Sequence, residues 1–240
     1  MKKRNSIWFC LIFIGINQLC VAQQLNKIDS LHQVLKTEKE DTSKANTLNL
    51  LGKESCIIGD YHQARKYSDE ALLLSEKLHY DEGKIMALMN HGNSNFYEGD
   101  YPESLKKYSE ALFISKKTGN KKLIAYCYNY IGLTYTYQRN YSKATDTEQL
   151  ALKLQQEVSD SAGIGKSYLY LGIIYEEIGN YTEAIKSYLG LLKIAEVRGD
   201  KKGIADANFN IGNVYGFRES FAEAIKYIHP AVFQCLFKTV

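Results

Sequence analysis

The sequence predicts an all-α protein, a solenoid of antiparallel helix pairs. Three observations carry that reading. Glycine recurs at Gly52, Gly92, Gly132, Gly172 and Gly212, always forty residues apart. An aromatic ring keeps the same interval at Tyr61, Tyr101, Tyr141, Tyr181 and Phe221, and a small residue keeps it at Ala64, Ser104, Ala144, Ala184 and Ala224. Proline is confined to Pro102 and Pro230, so long helices are permitted almost everywhere. A fixed period of this kind marks a repeat array, in which each unit buries its faces only by stacking on its neighbours.

The elements follow in chain order. Residues 1–22 read as a leader rather than as part of the fold. Lys2, Lys3 and Arg4 are followed by an apolar run from Ile7 to Ile16 and by Cys20-Val21-Ala22 before Gln23. The run is shorter than the ~20 apolar residues a membrane-spanning helix needs, and the pattern is that of a cleaved secretory signal. A lipoprotein signal and an uncleaved anchor are the alternatives; Leu19, where lipidation would want a small residue before Cys20, speaks against the first. The expected location is therefore periplasmic or secreted. The leader carries three basic residues and no acidic one, so its removal lowers Lys+Arg from 30 to 27 against 27 Asp+Glu. A neutral chain lacks the basic footprint of a nucleic-acid binder.

Residues 23–43 form a linker and a capping helix, with Leu25, Ile28, Leu31, Val34 and Leu35 on one helical stripe. Five repeats follow, at about 44–79, 80–119, 120–159, 160–199 and 200–240. The unit at 160–199 shows the plan. Asp160 is placed to cap a helix, and Ile164, Tyr168, Leu171, Ile174, Tyr175 and Ile178 recur at helical spacing. Gly179-Asn180 makes the turn. Tyr181, Ala184, Ile185, Tyr188, Leu192 and Ile194 mark a second helix, which Gly199-Asp200 ends. Gly172 and Ala184 let the two backbones approach, and Tyr175 and Tyr188 fill what remains with stiff apolar surface.

These residues resemble a known family. Asn210-Ile211-Gly212-Asn213-Val214-Tyr215 and Asn90-His91-Gly92-Asn93 look like the first-helix signature of the tetratricopeptide repeat; Gly59-Asp60-Tyr61-x-x-Ala64 and Gly179-Asn180-Tyr181-x-x-Ala184 look like its turn and second helix. The resemblance covers roughly residues 44–235. The period of 40 departs from the usual 34 and resembles the long-repeat subclass of kinesin light chains and exported bacterial sensor proteins. It implies a right-handed superhelix whose first helices line a concave groove for a peptide or partner protein. The inward candidates are Asn46, Asn49 and Lys53; Asn93 and Tyr97; Tyr126, Asn129 and Tyr137; Lys166; and Asn213. Asparagine can donate to and accept from a peptide backbone, and tyrosine gives contact area with a polar tip. Asn93 and Asn213 also fall where the family itself has asparagine, so a structural role stands beside the binding one. With only Lys53 and Lys166 basic, the charged clamp of chaperone-binding repeats is not expected.

Catalytic chemistry finds no support in the sequence. Gly163-Ile164-Gly165-Lys166-Ser167 looks like the end of a phosphate-binding loop, but the glycine that motif requires five residues earlier is Asp160. No two of His32, His62, His79, His91 and His229 stand four apart. Cys56, Cys127 and Cys235 are widely spaced and read as small buried hydrophobes. No enzyme activity, cofactor, metal or small-molecule substrate is expected.

The C-terminal end is atypical. Pro230 occupies a mid-helix position held by Gly190, Leu150 and Glu110 in earlier repeats, where it should kink or break the helix at a cost of ~3 kcal/mol. Val232, Phe233, Cys235, Leu236 and Phe237 are apolar, although a terminal repeat needs a polar outer face. Either this tail packs on something, with self-association one expectation, or the chain is a piece of a longer array, the sensory part of a histidine kinase or helix-turn-helix regulator. The second reading is favoured.

Overall fold

The computed structural model describes residues 25–236, with side chains as far as Ile228 in the last helix. The leader expected at 1–22 and the apolar side chains expected after Pro230 lie outside the described residues. Those described form eleven helices and no strand, the all-α array the repeat predicts. α1 covers 25–37. Then come α2 (Thr42–Ile57), α3 (Tyr61–Lys77), α4 (Asp81–Glu98), α5 (Tyr101–Thr118), α6 (Lys121–Tyr137), α7 (Tyr141–Glu157), α8 (Ser161–Glu177), α9 (Tyr181–Arg198), α10 (Lys201–Phe217) and α11 (Phe221–Leu236). The chain divides into two compact units, one ending at Ile114 and one beginning at Ser115, so α5 contributes to both.

Short polar caps start these helices. Asp60, Asn120, Asp160 and Asp200 each accept a hydrogen bond from the backbone N–H three residues on, at 3.0 to 3.2 Å. Each satisfies one of the donors a helix N-terminus leaves open. Left-handed residues stop the helices, and here the turns differ. Gly59, Gly99, Gly119, Gly179 and Gly199 adopt positive φ, but so do His79, Arg139, Ser159 and Glu219, side chains for which that conformation is strained.

The forty-residue glycine is the seat of a knob from the second helix. A Cβ on Gly92 would stand 2.6 Å from the Tyr108 ring, and one on Gly172 would overlap the Tyr188 ring. The same slot takes Ser68 against Gly52, Glu148 against Gly132 and Ile228 against Gly212. Glycine is kept because the partner helix occupies the space of a side chain, and the register conserves that geometry while the knob varies.

In the first unit α2 packs on α3 and α3 on α4 around Ala45, Leu48, Leu51, Tyr67, Ala71, Leu74 and Ala87. α1 lays Ile28, Leu31 and Leu35 on that cluster, while Leu25 and Val34 of the expected stripe face solvent. Lys27 reaches from α1 to Glu54, 2.5 Å away and 1 % exposed, so the capping helix also neutralises a buried carboxylate. In the second unit α6 packs on α7, α8 on α9 and α10 on α11, and each second helix packs on the first helix that follows. Ala184, Tyr188, Ile211 and Val214 centre its apolar cluster.

Of the two outcomes expected at Pro230, a kink or a break, the break does not occur. α11 continues past Pro230 to Leu236. Proline removes one N–H and crowds one carbonyl, but the other ladder bonds remain, so a helix can carry it by bending instead of stopping.

Candidate functional site

The first helices carry the candidate residues, and the structure sorts them into three environments. Two are interior. Asn49 is buried, and its Nδ2 donates to the Gly83 carbonyl at 3.1 Å. Asn129 is wholly buried; its Nδ2 donates to Glu148 Oε2 and Ser167 Oγ, both at 2.7 Å, and its Oδ1 accepts from Gln155 Nε2 at 2.7 Å. Ser167 Oγ closes the ring by donating to Gln155 Oε1 at 2.7 Å. The expectation that these two asparagines meet a ligand is corrected: both are buried and their Nδ2 groups donate to the neighbouring first helix, because the position faces that helix and not the open side.

Glu148 belongs to this interior network and has no place in the sequence reading. Burial drives its carboxyl strongly toward the protonated form, against the opposing influence of the Asn129 and Ser167 hydrogen bonds and of the Lys166 charge.

A second group is exposed or half-buried but already engaged. Asn46 is exposed, and its Oδ1 accepts from the Tyr80 hydroxyl at 3.1 Å. Asn93 is half-buried, and its Oδ1 accepts from the Tyr108 hydroxyl at 2.6 Å, which steadies the knob. Tyr97 is exposed and stacks on Tyr61 with ring centres 5.9 Å apart. Lys53 and Tyr137 are exposed. Asn213 lines a shallow apolar hollow of about 510 Å³ with Phe217, Phe221 and Ile225 on α10 and α11.

The third group is the only pair of candidates brought together within one unit. Lys166 of α8 lies against Tyr126 and also against Tyr130, both on α6. Its Nζ is 5.5 Å from the first ring centre and 4.8 Å from the second, and it donates to the Tyr130 hydroxyl at 3.3 Å. Burial, with help from the Asp160 carboxylate, pushes the Tyr126 hydroxyl up to about 12. Beside this cluster a cavity of about 310 Å³ opens between α8, α9 and α10. Tyr130, Arg198 and Lys202 were missed by sequence reasoning; Lys202 matches Lys122 two periods earlier, but Ala162 interrupts the series, and Arg198 sits in the last turn of a second helix and carries no such signal.

Among the described residues no group of His, Cys, Asp and Glu is arranged to hold a metal ion, and no helix is long and apolar enough to cross a membrane. Cys56 and Cys127 are buried free thiols, each pushed up to about 11 chiefly by burial, so neither is poised as a nucleophile.

A family model for the tetratricopeptide repeat matches residues 83–157 and 163–228. No curated protein matches the chain in sequence. Among solved structures, BtubC (BKLC) from P. vanneervenii is similar at a TM-score of 0.67 with 18% identity, covering 89% of this chain and 89% of that one. A Rap protein in complex with competence and sporulation factor gives a TM-score of 0.72 with 16% identity, over 92% of this chain and 67% of that one. A signal-transduction ATPase with a tetratricopeptide repeat sensor, from Pyrococcus horikoshii, gives 0.62 with 18% identity, over 92% of this chain and 38% of that one. At these identities the likeness is one of fold.

Proposed function

The chain belongs to the tetratricopeptide repeat family, and from that premise we propose that it is an interaction scaffold that binds a peptide or a partner protein on its first helices. The observation that carries the proposal is what those helices leave outward: Lys53, Tyr97 and Tyr137 are exposed and Lys166 is half-buried beside an open cavity. Aromatic area with polar tips and a few fixed charges suits recognition of another chain. The Rap protein, similar in fold, is described as a complex with competence and sporulation factor, which supports an accessory ligand as the mode of action. Binding outside the cytoplasm is part of the proposal and rests on the leader pattern at 1–22.

A second reading has its own observation. The chain spans only 38% of a signalling ATPase whose repeats are described as a sensor, and in that reading the same face is the sensory part of a larger protein.

Site-specific photo-crosslinking tests the proposal. A photoreactive residue is placed at Lys53, Tyr97 or Tyr137 on first helices, and at the exposed Leu73, Phe113 or Val197 on second helices. Partner adducts from the first set alone are expected. Adducts from the second set alone, or equally from both, would contradict it.

A further inference from the structure

We infer that the hollow between α10 and α11 is a side-chain pocket for a phenylalanine of the bound peptide, and that Gly216 is the residue that opens it. The inference rests on the peptide-binding reading above and names one side chain of the ligand.

The second repeat shows what fills this space. Phe96 holds the place of Gly216 there, and it is buried. Its ring lies against two others, with centres 5.3 Å from Tyr97 and 5.6 Å from Tyr101. Three periods on, the two framing positions are rings again, Phe217 and Phe221, but the ring they framed is a glycine. Each remaining repeat puts a side chain at this place: Cys56 and Thr136 are buried and Glu176 is half-buried.

The backbone of α10 does not require glycine here. A Cβ on Gly216 would meet no atom within 4 Å, whereas one on Gly212 would overlap Ile228. The φ of Gly216 is not positive, and the left-handed stop after α10 is Glu219. Within a helix glycine is less favourable than alanine. What it produces is an opening of about 510 Å³, lined by Asn213, Phe217, Phe221, Ala224, Ile225 and Ile228 with no charged side chain among the lining residues. Phe217, Phe221 and Ile225 are each 65 % exposed, so an apolar surface is left ready for a ligand to cover.

The lining selects the ligand group. A phenyl ring entering over Gly216 meets Phe217 and Phe221 as Phe96 meets Tyr97 and Tyr101, in the edge and tilted contacts that aromatic pairs favour. An aliphatic side chain gains the buried area without the ring contacts, and a charged one loses its hydration against an apolar wall. Asn213 carries an amide that can donate to and accept from the peptide backbone that brings the ring in. A second copy of the chain is the poorer occupant, because Phe217 and Phe221 already form the walls of the hollow and are not spare rings for a neighbour's.

The test probes an array of terminally blocked random peptides with the full chain. Bound sequences should be enriched in phenylalanine, and Phe→Leu in a bound peptide should weaken it roughly two- to tenfold, with Phe→Ala weakening it further. Gly216→Phe, which installs the residue of α4, should abolish the enrichment and raise the melting temperature, because the ring is then supplied from within. Phe221→Ala removes an exposed wall and should weaken the enrichment with little change in melting. Bound peptides without phenylalanine enrichment, or an enrichment that survives both variants, would overturn the pocket and leave peptide binding standing. A concentration-dependent dimer that Gly216→Phe dissociates would also overturn it, by giving the hollow to a second copy. Capture of no peptide at all would overturn both.

Discussion

The α6–α7 and α8–α9 pairs are built to one plan and filled in opposite ways. Gly132 and Gly172 offer the same seat. In α9 the knob is Tyr188, wholly buried, with its hydroxyl donating to Glu176 at 2.8 Å and its ring among Ala184, Ile211 and Val214. In α7 the knob is Glu148, equally buried, tied to Asn129 and through it to Gln155 and Ser167. The repeat conserves how closely two backbones approach; it does not conserve what lies between them. An apolar knob stabilises by area removed from water, whereas a polar network stabilises only while every member is satisfied.

The largest effect should come from emptying the apolar seat. Tyr188→Ala is expected to destabilise by about 3–5 kcal/mol in urea unfolding, as aromatic truncations in packed cores do. Breaking the polar seat should cost less but show coupling. Asn129→Leu, which installs the α8 residue of that column, strands Gln155 and Glu148 and should cost about 1–3 kcal/mol. Combined with Glu148→Tyr it converts one filling toward the other. The double variant should be more stable than the two single effects predict, with a coupling of about 1–2 kcal/mol; strict additivity would show that the two positions are filled independently.

The same comparison predicts a pH effect. Glu148 is raised by burial, so folding favours its protonated form. Its full contribution is present below the ordinary carboxylate value and is lost as pH rises from there through its folded value. Between pH 5 and 8 the urea midpoint of Glu148→Gln should therefore fall less with rising pH than that of the unaltered chain. Equal slopes would contradict the assignment. The smallest effect lies in the turns that end the two pairs. Ser159 and Gly199 hold the same left-handed position, and only the glycine holds it without strain. Ser159→Gly should stabilise by about 1 kcal/mol and Gly199→Ala should destabilise by about as much, both measurable as shifts in urea midpoint. A Cβ on Gly199 meets nothing within 4 Å, so the second effect reports backbone strain alone.

The helix pairs were legible because each needs a glycine seat, a polar cap and a left-handed stop, and those are residue types that recur visibly. The interior of a pair was not. The column of Asn49, Met89, Asn129, Leu169 and Phe209 runs from buried to half-exposed, and periodicity alone cannot tell an asparagine that binds a ligand from one that holds a neighbouring helix. Lys166 was legible as an outward charge, but its two tyrosines come from the preceding first helix and Arg198 from the second helix between, so their meeting is a product of stacking.

The central claim is that one backbone register carries unrelated buried chemistry, and carbon-13 NMR of the Glu148 side-chain carboxyl tests it most directly. Glu157 serves as the internal reference, since Lys121 holds it below the ordinary carboxylate value. The Glu148 resonance should remain at its protonated position well after Glu157 has ionised, and Asn129→Leu should shift its titration. A Glu148 resonance that ionises together with the surface carboxylates would contradict the account.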